Sequence, residues 1–240
     1  MTATHLQLEI EAIKEDLLKM GGLVEEAIDQ AVRALIQRDS ELAREVIRKD
    51  VRVNDLENQI DVKCIKLIAT QQPVAADLRF LTAALRLNGI LERTADQAVN
   101  IADRTLIINE LPPMDGIPPT LLEMSEVAKD MTRKCLDAFV RRDEYLAYEV
   151  CAQDDELDEL NRHLLEEMIG WMMDEQRLIR RGVEIVLAGR HLERIGDQAT
   201  NVAEEVVFMI KGTIIRHTEL CGAAAQRKHP READKDHPAG

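Results

Sequence analysis

Met20, Val24, Ala27, Ile28, Ala31 and Leu35 recur at the i, i+3, i+4 spacing of one helical face. That spacing predicts a first helix from about Leu6 to Gln37. Gly21-Gly22 falls inside the continuing pattern, so it predicts a local bend rather than an end. Arg38-Asp39-Ser40-Glu41 breaks the pattern, with Asp39 or Ser40 as the N-cap of the next helix. The second helix, about Glu41 to Thr70, gathers Val46, Val53, Ile60, Cys64 and Ile68 into one sector. Gln71-Gln72-Pro73 ends it, since proline excludes helical geometry at the residue before it. A third helix starts between Val74 and Asp77 and runs to about Asn109.

Pro and Gly then crowd Leu111-Pro112-Pro113-Met114-Asp115-Gly116-Ile117-Pro118-Pro119, which reads as a linker. After it the pattern restarts. Arg142-Asp143 repeats Arg38-Asp39 at an offset of 104, and Asp154, Asp158 and Asn161 repeat Asp50, Asn54 and Glu57 at the same offset. By the third helix the offset has fallen to 101, so the loss falls where the first half has its Gln-Gln-Pro loop. The expected fold is all-α, a tandem repeat of two three-helix bundles. The halves are expected at 1–111 and 120–216, joined by a linker at 112–119. Residues 217–240 lack apolar periodicity and read as a disordered tail by composition.

Composition supports helices. Of 240 residues, 45% are apolar and 32% charged but only 2% aromatic, a mixture suited to long packed helices rather than strands. The formal net charge of −14 makes nucleic acid an improbable partner and a cation a natural one. The four cysteines, Cys64, Cys135, Cys151 and Cys221, are scattered and read as small buried hydrophobes in a reducing compartment. With no apolar run near the ~20 residues of a membrane span and no leader-like start, a cytoplasmic protein is expected, peripheral to a membrane at most.

The chemistry lies in a sentence written twice. Glu92-Arg93-Thr94-Ala95-Asp96, then Asn100 and Asp103, recurs as Glu193-Arg194-Ile195-Gly196-Asp197, then Asn201 and Glu204. At ~100° per residue, positions i, i+4, i+8 and i+11 fall within roughly 80° of each other, so each stretch sets three carboxylates and an amide on one face. Leu78, Leu81, Leu85, Val99 and Leu106 share that sector, whereas Arg79, Arg86, Arg93 and Arg104 lie ~100° or more away. The arginines are therefore expected on the water side and the acids on the packed side. Asp50, Asn54, Glu57 and Asp61 of the second helix share the sector of its apolar residues, so two acidic faces converge in each half.

Like charges at this spacing repel by a few tenths of a kcal/mol even when exposed, and burying them unpaired costs several kcal/mol each. A bound cation would offset both. Carboxylates and amides without His or Cys suit hard ions: magnesium, manganese, calcium, or iron held through carboxylate bridges. The Glu-x-x-His pairs of di-iron oxidases are absent from the sequence, as are a Gly-rich phosphate loop, a Ser/His/Asp set and an activated cysteine. His163 and His191 stand alone and read as surface or packed histidines.

The doubled Glu-Arg-x-x-Asp-x-x-x-Asn-x-Ala-Asp/Glu motif resembles the PhoU family of phosphate-transport regulators. So do Gln72-Pro73-Val74-Ala75-Ala76-Asp77-Leu78-Arg79 and Met20-Gly21-Gly22-Leu23-Val24-Glu25, and the likeness spans about residues 5–215. It implies two three-helix bundles related by a pseudo-two-fold and a polynuclear metal cluster, of iron or zinc, on each half. It implies negative regulation of phosphate uptake and of the phosphate-starvation response. In that role the protein, expected as a homodimer, links the ATPase subunit of the phosphate ABC transporter to a sensor histidine kinase. The family pattern carries metal ligation to Glu92, Asp96, Glu193 and Asp197, with Asp50, Asp154 and Asp158 as complements; Asn100 and Asn201 complete the candidate set. Thr94-Ala95 departs from the commoner Ile-Gly, the second half lacks Gln-Pro-Val-Ala, and Asn161 stands where the first half has Glu57. A metal-dependent phosphoesterase and a plain helical scaffold are the competing readings.

Overall fold

The structure, a computed structural model, describes residues 5–112, 114 and 116–212. These fold into helices: α1 (His5–Gln37), α2 (Ser40–Lys49), α3 (Val51–Gln71), α4 (Ala75–Glu110), α5 (Pro119–Arg141), α6 (Glu144–Asp174) and α7 (Ile179–Lys211). A single 3-10 turn, Gln176–Leu178, precedes α7. The expected disordered tail, 217–240, lies outside the described residues. Among the described residues no helix is long and apolar enough to cross a membrane.

The second predicted helix is divided at Asp50. Its carbonyl accepts from both Val53 N at 2.8 Å and Asn54 N at 3.2 Å, a tightened turn that separates α2 from α3 without proline or glycine. The repeated Arg-Asp pair has a single structural meaning in both halves. Arg38 and Arg142 take left-handed backbone angles, φ 56° and 53°, and close the helices before them. Asp39 then caps α2, accepting from Glu41 N and Leu42 N at 2.9 and 3.0 Å. Asp143 does the same for α6 through Tyr145 N and Leu146 N at 2.9 and 3.3 Å.

The first half packs α1, α2–α3 and α4 together, the second packs α5, α6 and α7, and the halves join along α4–α7 and α1–α5. One hydrophobic core runs through both. Phe80 of α4 and Phe139 of α5 meet across the join with ring centroids 5.6 Å apart. Gly21 belongs to this join rather than to a bend. Helix α1 continues through it, and a Cβ there would stand 2.5 Å from Leu136 Cδ1 of α5.

The expectation that the α4 arginines face water needs correction. Arg86 Nη1 donates to both carboxylate oxygens of Glu205 at 3.0 and 3.1 Å, and Arg104 Nη1 donates to Glu184 Oε2 at 3.0 Å. Between them, His191 Nδ1 lies 3.0 Å from Gln97 Oε1. Residue numbers rise along α4 as they fall along α7, so the two motif helices run antiparallel. The sector called outer on a helical wheel is partly covered by the other half: Arg79 and Arg104 are half-buried, while Arg86 and Arg93 stay exposed as expected.

Candidate functional site

The α2–α3 acids and the α4 acids come together. Asp50, Asn54, Glu57 and Asp61 are half-buried, beside buried Val46, Val53, Ile60 and Cys64, while Arg52 and Asp55 are exposed. Across from them on α4, Glu92 is half-buried and Asp96 exposed. Burial, followed by the charges of Asp96, Glu57 and Asp50, holds the Glu92 carboxyl above its ordinary value. Burial, followed by Asp61 and Asp96, does the same to Glu57. Burial also raises Asp50, with Asp96 adding to it and the amide of Asn54, 2.9 Å from Asp50 Oδ2, opposing. Among the described residues none of these four carboxylates is ion-paired with Lys or Arg. The first half therefore concentrates negative charge at a partly dry surface, answered only in part by Arg93, which opposes the shift at Glu92.

One residue of this face escaped the pattern. Asn88, fully buried on α4, donates Nδ2 to Asp61 Oδ1 at 2.9 Å and to the Glu57 carbonyl at 2.8 Å. It precedes Glu92 by one turn, and extending the i+4 series backward from Glu92, Asp96 and Asn100 would have found it. Its Oδ1 is buried without a hydrogen-bond partner.

The second half repeats the arrangement with exchanges. Burial, followed by Asp197, raises Glu193; Asp158 of α6 adds to this while Arg190 and Arg194 oppose it. Asp154 is nearly buried, at 8% exposure, with Oδ1 3.5 Å from where a Cβ on Gly196 would stand. The position of Asn88 is taken by Gly189, and that of Glu57 by Asn161, whose Oδ1 comes within 3.7 Å of a Cβ built on Gly189. The amide has changed helices: the first half supplies it from α4, the second from α6. Asn100 is half-buried one turn beyond Asp96, and Asn201 is exposed in the cleft between α7 and α4, beside Arg86 and Arg93.

By donor type these faces would suit a hard cation, with Asp50, Glu57, Glu92 and Asp96 in one half and Asp154, Asp158, Glu193 and Asp197 in the other as the residues that could hold it. Among the described residues no three His, Cys, Asp or Glu side chains already stand as a closed metal site. The partly exposed carboxylates would have to turn toward an ion. His163 pairs with Glu159 at 2.9 Å on an exposed surface, and His191 lies in the α4–α7 seam, so neither joins the acids. Cys64, Cys135 and Cys151 are buried; burial, with the charge of Asp61, pushes the Cys64 thiol up to about 12.

Comparison with known proteins gives these faces a setting. The PhoU domain family model matches residues 17–105 and again 121–206. The phosphate-specific transport system accessory protein PhoU homolog of Pseudomonas putida is 36% identical, covering 95% of this chain and 89% of that protein. Its namesake in Aquifex aeolicus is 38% identical, covering 88% of this chain and 96% of that protein. The crystal structure of PhoU from Pseudomonas aeruginosa superposes with a TM-score of 0.79 at 37% identity, covering 86% of this chain and 99% of the other. The phosphate transport system regulatory protein PhoU from Streptococcus pneumoniae gives 0.81 at 28% identity, covering 88% of this chain and all of the other, 100%.

Proposed function

The chain belongs to the PhoU family, and from that membership we propose that it regulates phosphate uptake as an accessory protein of a phosphate-specific transport system, by docking rather than by catalysis. Its role is negative regulation of uptake and of the phosphate-starvation response, exerted in the cytoplasm. It links the ATPase subunit of the phosphate ABC transporter to a phosphate-responsive sensor histidine kinase, and acts as a homodimer. Relatives of this length and likeness are named accessory or regulatory proteins.

The observation that carries the reading is the doubled acidic face, above all Asp50, Glu57 and Glu92, whose carboxyls are held above their ordinary values by burial and then by neighbouring acids, with no ion pair to Lys or Arg among the described residues. These residues, with Asp154, Asp158, Glu193 and Asp197, hold the metal. When bound, a cation such as iron, zinc, manganese or magnesium supplies the positive charge that lets the carboxylates stay ionised side by side. The chain's own part is structural. Asn88 fixes α4 against α3, Asn54 orients Asp50, and the α4–α7 seam holds the two faces at a set separation. A rigid pair of charged faces is suited to recognising a partner surface.

A phosphate-starvation reporter in phosphate-rich medium tests this, in cells with and without the gene. The reporter should switch on when the gene is lost and off when it is restored. A reporter that stays off on deletion would count against the regulatory role.

A further inference from the structure

Away from the acidic faces, the C-terminal end of α1, the end of α4, Met114, Gly116 and Ile117, and the starts of α5 and α7 line a chamber of about 390 Å³ that is partly open to solvent. Its walls are mostly apolar, Leu35, Ile108, Ile117 and Leu121 among them, and two arginines, Arg38 and Arg181, reach it. Arg181 is 4% exposed. Its Nη2 donates to the carbonyls of Ile108 at 2.7 Å and Leu111 at 2.6 Å, which lock the guanidinium in place at the end of α4. Its Nε is buried without a hydrogen-bond partner. Among the described residues neither arginine is ion-paired with a carboxylate.

We propose that this chamber binds a small amphiphilic anion, a carboxylate or phosphate monoester carried on an apolar body. Three features set the class. A guanidinium kept nearly dry demands a negative partner, and the carbonyl ends of α1 and α4 supply only fractional charge. The Arg181 guanidinium is held below its usual value by burial and then by the charge of Arg38, so the two cations sense each other and among the described residues no acid offsets them. The apolar walls favour a ligand with a hydrocarbon body over a bare ion, and the volume is that of a small-molecule site. Exposed Arg38 stands at the mouth, placed there by its left-handed backbone at the end of α1. Because α1, α4, α5 and α7 all contribute wall, an occupant would bridge the two halves at the opposite end of the bundle from Lys211.

The test titrates the full chain, by calorimetry and by thermal unfolding, with decanoate, octyl phosphate, decanol and inorganic phosphate below any micellar concentration. Decanoate or octyl phosphate should bind saturably at one per chain and raise Tm, with decanol and inorganic phosphate at least about tenfold weaker. Arg38→Gln should weaken binding by about tenfold or more while leaving the unliganded Tm unchanged. Ile117→Trp, which fills the chamber with both charges in place, should abolish it. Equal binding of decanol would overturn the anion class, and binding that survives both substitutions would overturn the site. Asp115 stands in sequence between the wall residues Met114 and Gly116. If anions bind only to the Asp115→Ala variant, the chain neutralises its own arginines and the proposal fails.

Discussion

Asn88 Nδ2 lies 2.9 Å from Asp61 Oδ1 and 2.8 Å from the Glu57 carbonyl, tying α4 to α3 beneath the acidic face. Replacing Asn88 with alanine strands both acceptors and leaves a small void. The expected cost is about 1–3 kcal/mol, the penalty for unsatisfied buried polar groups. Urea unfolding followed by circular dichroism measures it. An unchanged midpoint would mean that the bond holds nothing.

The raised carboxyls make a prediction about pH. For Asp50, Glu57 and Glu92 the folded state holds protons more tightly than the unfolded chain does. Their contribution is therefore fully present below the ordinary values of 3.8 and 4.5 and is lost as pH rises through the higher folded values. The metal-free protein should lose stability from this cluster as pH climbs above that range. Glu92→Gln should flatten that part of the slope, as read from urea midpoints at several pH values. Added divalent cation should stabilise the wild type more at neutral pH than at pH 5.

Helix α7 tests the second half. A Cβ on Gly196 would stand 2.4 Å from Leu157 Cδ2 and 3.4 Å from Met131 Cε, both on fully buried side chains. Overpacking of this kind costs about 1–3 kcal/mol, against a helix gain of about 0.5–1 kcal/mol for replacing glycine with alanine. Gly196→Ala should thus be destabilising on balance. A rise in Tm would show that Leu157 has room to move.

In the seam, burial, followed by the charges of Arg194 and Arg104, pushes the His191 imidazole down to about 4. The sign is opposite to that of the acids. Its contribution to stability is complete above 6.5 and is lost as pH falls through about 4. Histidine NMR should show this ring staying neutral well below pH 6, next to Gln97. A midpoint near 6.5 would place the ring in water.

The helices and the duplication were legible because apolar spacing and the repeated Arg-Asp turn are local signals, each set by a few neighbouring residues. The shared register of the acids was legible for the same reason, since i+4 spacing survives any packing, but their burial was not: Asp96 and Asp103, expected on the packed side, are exposed. What escaped was set between helices. One helical wheel cannot show that Arg86 and Arg104 meet α7, because it knows a single axis and no second half. Gly21 read as a bend for want of Leu136, which lies on another helix and gives that glycine its purpose. The exchange of Asn88 for Asn161 was half visible: the Asn161 departure stood in the sequence, but its compensation by Gly189 needs α6 and α7 side by side.

The central claim is that the paired acidic faces are cation sites. It is tested most directly by calorimetric titration of the metal-free protein with manganese and with zinc at neutral pH. Wild type should take up cation at both halves, Glu92→Gln with Asp96→Asn should lose the first half's share, and Glu193→Gln with Asp197→Asn the second's. A wild type that binds neither ion, or neutralised variants that bind as well as it does, would contradict the account.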